Sequence, residues 1–144
     1  MANIDFSERL SELMLLNNLN VVSLAKKSGC SKTGISFWVK YNVFPTIKNL
    51  IKLADFFSCS ADYFLGLSDD SSISNYKKDF CFTERLDSLI KSMNISYYRL
   101  AKDLDIDERY FTRWKQGIIP KTDVFISIAK YFGCSVDYLV GREV

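Results

Sequence analysis

Hydrophobic residues recur along this chain at intervals of three and four positions, the spacing that places side chains on one face of an α-helix. Each apolar stripe is short and is bounded by Asn, Ser, Gly or Pro, residues that begin or end helices. The pattern therefore predicts five short helices in each half of the chain. The predicted inward-facing residues are, in the first half, Phe6, Leu10, Leu13, Met14, Leu24, Ala25, Ile35, Trp38, Leu50, Ile51, Ala54 and Phe57, and in the second half Phe82, Leu86, Leu89, Ile90, Leu100, Ala101, Phe111, Trp114, Phe125, Ile126, Ala129 and Phe132.

The two halves of the chain are copies of one unit. Residues 6–43 align with residues 82–119 at an offset of 76, and residues 45–66 align with residues 120–141 at an offset of 75. Phe44 is an extra residue in the first copy. Of the 60 aligned pairs 19 are identical, ten before Phe44 and nine after it. Because the identities run along both segments, the chain is a duplication.

A polar stretch over residues 68–75, rich in Ser and Asp, lies between the copies and is typical of a segment that joins domains. We therefore predict a first copy at residues 1–67, a linker at residues 68–81 and a second copy at residues 82–144.

The ends of the predicted helices carry residues that cap helices. Asp5 and Glu8 have the spacing of a capping box. Gly29 and Asp105 stand at equivalent positions, where the chain turns between two helices and a left-handed backbone is needed. The other predicted N-caps are Asn20, Ser31 and Ser60 in the first copy and Ser96, Asp107 and Ser135 in the second.

A helix, a short turn with Gly29 or Asp105, and a second helix that begins with polar residues form a helix-turn-helix arrangement. Within a five-helix unit, this resembles the lambda-repressor/Cro-like (XRE) family of DNA-binding domains. The residues that carry the resemblance are 24–31, Ile35, Trp38 and 51–66 in the first copy, and Leu100, Ala101, Phe111, 114–117, Pro120 and 126–141 in the second.

The resemblance implies an all-α protein made of two tandem five-helix DNA-binding domains joined by a short polar linker. It also implies a sequence-specific transcriptional regulator, with repression as the expected mode and double-stranded DNA as the partner. In this family the third helix enters the major groove, where side chains reach base edges and phosphates. The implied base contacts are Lys32, Thr33, Phe37, Glu108, Arg109 and Arg113, and the implied backbone contacts are Ser31, Lys40, Asn42, Ser96, Lys115, Gln116 and Lys121.

Several residues depart from the family pattern. Val21 and Tyr97 occupy the position where family members commonly have a Gln that binds phosphate, and Val has no donor to offer. Phe37 suits only an apolar contact with a thymine methyl group. Glu108 is repelled by phosphate unless the amine of a cytosine or adenine faces it.

Two other interpretations stay open. The charged residues of the third helices also fit a solvated surface without a partner. The alternative function is a protein-interaction module, which dimerises or inhibits a host protein and in which at most one copy binds DNA. Its exposed surface would be formed by Val21, Phe37, Tyr97, Tyr98 and Tyr110.

The composition argues against an enzyme. The 144 residues include no His, which excludes catalysis by Ser-His-Asp or Cys-His and zinc sites with His ligands. The four cysteines Cys30, Cys59, Cys81 and Cys134 form no C-x-x-C pair, so we expect reduced, apolar side chains, with two disulfides as the alternative. We expect no catalytic residue, no metal and no cofactor.

Net charge and hydropathy indicate which partners and which cellular compartment to expect. A net charge of +2 neither requires nor forbids a polyanionic partner. The apolar runs are far shorter than the roughly 18 residues that cross a membrane. Asp5 and Glu8 stand where a signal peptide has basic residues. We therefore expect a cytoplasmic protein that does not bind membranes.

Overall fold

The computed structural model of the protein describes residues 5–73 and 80–143. The chain divides into two compact units, Met1–Ile73 and Ser74–Val144, and each unit is described by itself. The predicted boundaries of the copies and of the linker at residues 68–81 stay a prediction, and residues 1–4, 74–79 and 144 lie outside the described residues.

Both units are built from helices alone in their described parts, and the prediction of five helices in each copy is confirmed. The first unit contains α1 (Phe6–Leu16), α2 (Val21–Ser28), α3 (Lys32–Lys40), α4 (Ile47–Phe56) and α5 (Ala61–Phe64). The second contains α6 (Phe82–Ser92), α7 (Tyr97–Leu104), α8 (Arg109–Lys115), α9 (Thr122–Phe132) and α10 (Val136–Val140).

Most of the predicted inward-facing residues lie in the core, but the fourth helix of each unit is rotated from the predicted face. Leu53 and Ile128 are completely buried, whereas the predicted Ile51 and Ile126 are only half-buried. The reason is geometric. Leu50 and Leu53 are separated by three positions and share a face, whereas Ile51 lies about 100° away around the helix.

The turn between the second and third helices has the predicted backbone. Gly29 has a φ of +82° and Asp105 a φ of +55°, both in the left-handed region. Asn20 and Ser23 form a reciprocal capping box at the start of α2. Asp5 accepts a hydrogen bond from the N–H of Glu8 at 2.8 Å, one of the two bonds of the predicted capping box. Local sequence therefore sets the backbone of the turn and the starts of α1 and α2.

Two of the cysteines lie in the core of the first unit. Cys30 is 5% exposed and Cys59 is 3% exposed, while Cys81 and Cys134 of the second unit are half-buried. At these positions a thiol packs as a small apolar side chain.

Candidate nucleic-acid interface

In the first unit, aromatic packing anchors α3 and so determines which of its faces meets solvent. Ile35 and Trp38, one turn apart, are both buried, and the Trp38 ring meets the Phe6 ring edge-on with centroids 6.3 Å apart. The hydroxyl of Ser7 on α1 donates to the carbonyl oxygen of Val39 at 2.9 Å. These contacts hold α3 against α1 by one face. The exposed side chains of the opposite face are Lys32, Thr33, Ser36, Phe37 and Lys40.

The second unit repeats this arrangement with larger anchors. Phe111 and Trp114 of α8 are buried, and the Trp114 ring lies 5.6 Å from the ring of Phe82 on α6. Arg109 and Arg113 stand where α3 has Thr33 and Phe37, whereas Glu108 and Gln116 stand where the first copy has Lys32 and Lys40. The two copies therefore present different chemistry from equivalent positions.

The residues predicted from the resemblance to contact DNA are all exposed to solvent in this structure. Exposure is what contact with a duplex requires, and the contacts themselves stay a prediction. The exposed set comprises the base candidates Lys32, Thr33, Phe37, Glu108, Arg109 and Arg113, and the backbone candidates Ser31, Lys40, Asn42, Ser96, Lys115, Gln116 and Lys121.

Two of the backbone candidates also cap helices. The Ser31 hydroxyl oxygen accepts the N–H of Gly34 at 3.0 Å, and the Ser96 hydroxyl oxygen accepts the N–H of Arg99 at 3.0 Å. A hydroxyl that accepts at a cap still has its own hydrogen to donate. Both serines can therefore cap a helix and donate to a phosphate at the same time.

Three cations of these helices lie over aromatic rings, a feature that the sequence analysis missed. Lys115 Nζ is 4.7 Å from the centroid of the Tyr97 ring, and Lys40 Nζ is 5.5 Å from that of Tyr41. The guanidinium of Arg113 lies 5.6 Å from the ring of Tyr110. Tyr97 occupies the position where family members commonly have Gln, so here an aromatic side chain supports a neighbouring cation.

The start of α8 differs from that of α3. The carboxylate of Asp107 accepts the backbone N–H of Arg109 at 2.9 Å, so it caps the first turn as predicted. Glu108, the residue directly before the helix, makes no side-chain capping hydrogen bond. The same Asp107 carboxylate binds the Arg109 guanidinium, with Nη2–Oδ2 at 2.6 Å and Nε–Oδ2 at 3.0 Å. The side-chain and backbone hydrogen bonds from Arg109 lower the pKa of Asp107 to about 2.

Comparison with protein families matches both units. A helix-turn-helix family model matches residues 10–64, and the model of the Cro/C1-type HTH DNA-binding domain matches residues 85–143. The chain belongs to the XRE-like helix-turn-helix proteins, with two such domains in tandem. Comparison with curated proteins and with solved structures gives no match.

In the second helix-turn-helix domain, a polar network joins the first helix of the motif to the helix that follows it. The Tyr131 hydroxyl on α9 donates to Asp103 on α7 at 2.6 Å, and Arg99 Nε donates to the same oxygen at 3.0 Å. The hydrogen bond from Tyr131, followed by that from Arg99, holds the pKa of Asp103 below its usual value. The bond to Asp103 raises the pKa of Tyr131. The network fixes α7 relative to α9.

The residues considered for a protein interface differ in exposure. Phe37 is 49% exposed, Tyr98 64% and Tyr110 43%, whereas Val21 and Tyr97 are half-buried. The Phe37 ring lies 4.7 Å from that of Tyr41. In these helix-turn-helix domains the aromatic surface and the cationic surface therefore share the same helices.

Within residues 5–73 and 80–143, no helix combines the length and the apolar character needed to cross a membrane. Over the same residues, no group of three or more Cys, Asp or Glu side chains is placed to hold a metal ion.

Proposed function

We propose that the protein is a sequence-specific DNA-binding regulator of transcription, which acts as a repressor and reads bases with α3 and α8. The observation that carries the proposal is the anchoring of both helices by an equivalent buried pair, Ile35 and Trp38 or Phe111 and Trp114. That anchoring leaves a face with at least two exposed cations in each copy. Phosphate contacts need such cations, and base contacts need polar side chains within reach of the groove.

The two copies supply two reading units in one chain, which we place at residues 1–67 and 82–144. Units of this kind usually bind half-sites about 34 Å apart. The N–H of Ser60 donates to the carbonyl oxygen of Ser71 at 2.9 Å, so at most residues 72–81 of the proposed connector can extend. Fully extended, that stretch spans at most about 40 Å, which still gives one chain the reach to occupy adjacent half-sites.

The half-sites are expected to differ, because the base candidates differ. Lys32, Thr33 and Phe37 stand where the second copy has Glu108, Arg109 and Arg113. Arg and Lys suit the paired acceptors of guanine, whereas Phe contacts only a thymine methyl group. We therefore propose an asymmetric operator in place of a palindrome.

Selection of bound sequences from a pool of random DNA duplexes tests this function. The full chain is expected to select one asymmetric sequence, and Lys32→Ala and Arg109→Ala are each expected to relax the preference in a different half of it. Lys91→Ala is the matched control, because Lys91 is an exposed cation on α6, outside the helix-turn-helix. The proposal is wrong if the wild-type chain selects no sequence, or if neither variant changes the selected sequence.

Repression is tested separately from binding. A template that places the selected sequence across a promoter is expected to lose transcription when the protein is added, and the Arg109→Ala variant is expected to restore it. Transcription that rises in the presence of the protein would contradict the repressor role while leaving DNA binding in place.

A further inference from the structure

We propose that Asp107 is a positioning residue that holds Arg109 in the orientation needed to read a guanine, so that the half-site of the second copy contains a guanine at the position Arg109 contacts. This inference rests on the proposed function, because it concerns how α8 reads DNA. It adds a residue that the sequence analysis assigned only to helix capping.

The geometry of the pair shows which part of the guanidinium is occupied. Asp107 binds the edge formed by Nε and Nη2, with Nε–Oδ1 at 3.2 Å, Nε–Oδ2 at 3.0 Å and Nη2–Oδ2 at 2.6 Å. Arg109 Nη1 has no hydrogen-bond partner within the described part of the chain, and the Arg109 side chain is 82% exposed. The edge formed by Nη1 and the second hydrogen of Nη2 is therefore open to solvent.

That open edge has the chemistry of a guanine reader. It offers two parallel N–H donors on a rigid plane, and guanine presents two adjacent acceptors, O6 and N7, in the major groove. Adenine replaces O6 with an amine and cannot accept both donors. The guanidinium thus has one edge bound to the protein and a second edge that fits one base.

The carboxylate also reduces the cost of ordering the side chain. An arginine on a helix surface loses rotamer freedom when it binds a base, and a side chain already held in place loses less. Asp107 is itself fixed, since its Oδ1 accepts the Arg109 backbone N–H at 2.9 Å. The cap and the ion pair form one rigid unit at the start of α8.

The first copy provides the contrast. Ser31 stands at the position of Asp107 and Thr33 at that of Arg109. Ser31 caps α3 through Gly34, so the capping function is kept without a carboxylate or a guanidinium. This difference separates capping, which both copies share, from the orientation of an arginine, which belongs to the second copy.

Asp107→Ser is the test variant, because serine keeps a capping oxygen and removes the carboxylate, as in the first copy. Asp107→Asn is its companion, since it keeps the side-chain shape and one acceptor but removes the charge. The full chain of each variant is measured against the duplex selected by the wild type, against duplexes with single base-pair replacements, and against a mixed-sequence duplex. The position read by Arg109 is the one whose preference Arg109→Ala abolishes.

At that position the wild type is expected to prefer guanine over adenine by at least about fivefold, the lower end for a bidentate base contact. Asp107→Ser is expected to lose most of this preference and to keep the preferences at the other positions. Its affinity for the mixed-sequence duplex is expected to rise, because a negative charge beside the phosphates has been removed. Asp107→Asn is expected to show a guanine preference between those of the wild type and of Asp107→Ser.

Three results would overturn the inference. The first is an unchanged guanine preference in Asp107→Ser, and the second is an equal rise in affinity for all duplexes, which would show only repulsion of phosphate. The third is an equal loss at every position together with a lower thermal unfolding midpoint, which would show only a structural cap. Failure of the proposed function is distinct, since the wild type would then select no sequence at all.

Discussion

The guanidinium of Arg85 lies over the ring of Tyr138, 4.1 Å from its centroid, and donates from Nη1 to two backbone oxygens. The acceptors are the carbonyl oxygen of Tyr138 at 3.0 Å and that of Glu143 at 2.7 Å. The first copy has the same ring contact, with Arg9 3.8 Å from the centroid of Tyr63. Arg9 is only 5% exposed, and its Nε, among the described residues, has no hydrogen-bond partner. The two arginines are equivalent in position but differ in their hydrogen bonding.

This difference predicts unequal effects of one substitution. Arg85→Met is expected to lower the free energy of unfolding of the second unit by about 2 kcal/mol, because two charge-assisted hydrogen bonds are lost. Arg9→Met is expected to change that of the first unit by less than about 1 kcal/mol, because the loss of the ring contact is offset by removal of a buried donor without a partner.

Each copy contains one tryptophan of the chain, so each unit has its own fluorescent reporter. In a Trp38→Phe background, Trp114 follows the urea unfolding of the second unit, and in a Trp114→Phe background Trp38 follows the first. Equal losses of unfolding free energy in Arg9→Met and Arg85→Met would contradict the difference in hydrogen bonding between the two arginines.

The turn of the helix-turn-helix offers a second comparison between the copies. Gly29→Ala is expected to destabilise the first unit by about 1 kcal/mol, since its φ of +82° is costly for a residue with a Cβ atom. Asp105→Gly is expected to stabilise the second unit by up to about 1 kcal/mol, since its φ of +55° is free of cost for glycine. Urea unfolding with the same reporters measures both. No Cβ clash with the rest of the described chain contributes at position 29, because no heavy atom outside residues 28–30 lies within 4 Å of the Cβ position. A neutral Gly29→Ala would therefore show that the backbone of this turn differs from the one described.

The hydrogen bond between Tyr131 and Asp103 predicts a dependence of stability on pH. The pKa of Asp103 is lowered in the folded state, so its contribution is present above the unfolded value of about 4 and is lost as pH falls through the folded pKa. The pKa of Tyr131 is raised, so its contribution is complete below about pH 10 and is lost as pH rises through the folded pKa.

Tyr131→Phe tests this dependence. It introduces the residue type that the first copy has at the equivalent position, Phe56. The difference in unfolding free energy between wild type and variant is expected to be constant between about pH 5 and pH 9 and to shrink below about pH 4. A difference that grows on acidification would show that the protonated carboxyl, and not the carboxylate, is the form bound to Tyr131.

The lysines held over tyrosine rings predict a change in salt dependence. Lys40→Gln and Lys115→Gln are each expected to weaken binding to all duplexes by a similar factor and to reduce the slope of log affinity against log salt by about 1, because each removes one proposed phosphate contact. Affinity is measured over a series of salt concentrations, with Lys91→Gln on α6 as the control. A variant that changes the preferred sequence but not the slope would place that lysine at a base.

The aligned copies already contain part of the information on Arg9, which is buried, and on Arg85, which is half-buried. Arg9 and Arg85 are an identical pair, and so are Tyr63 and Tyr138. Periodicity counts an arginine as polar and assigns it to the surface, so the hydrophobic pattern alone places both residues wrongly. Identity between the copies is only a partial signal, because exposed pairs such as Lys26 and Lys102 are identical as well.

The start of α8 shows a different limit. The sequence predicts that Asp107 caps the helix. The first backbone N–H groups of a helix have no partner within it, and a carboxylate just before the helix can accept from them. The sequence does not predict the ion pair with Arg109, since an exposed arginine has many rotamers and nearby acidic residues at positions 105 and 108 compete for it. Only the side-chain positions in the folded protein decide which of these acidic residues binds Arg109.

The sequence by itself determined the duplication, the ten helices of the described residues, the left-handed turns and the exposed faces of α3 and α8. These features depend on interactions within a few residues and on a periodicity that is visible along the chain. The tertiary structure alone decided the burial of Arg9, the rotation of α4 toward Leu53 and the bond between Asp103 and Tyr131. The physical reason is that these features depend on which helix packs beside which, and residues 28 positions apart meet only after the chain has folded.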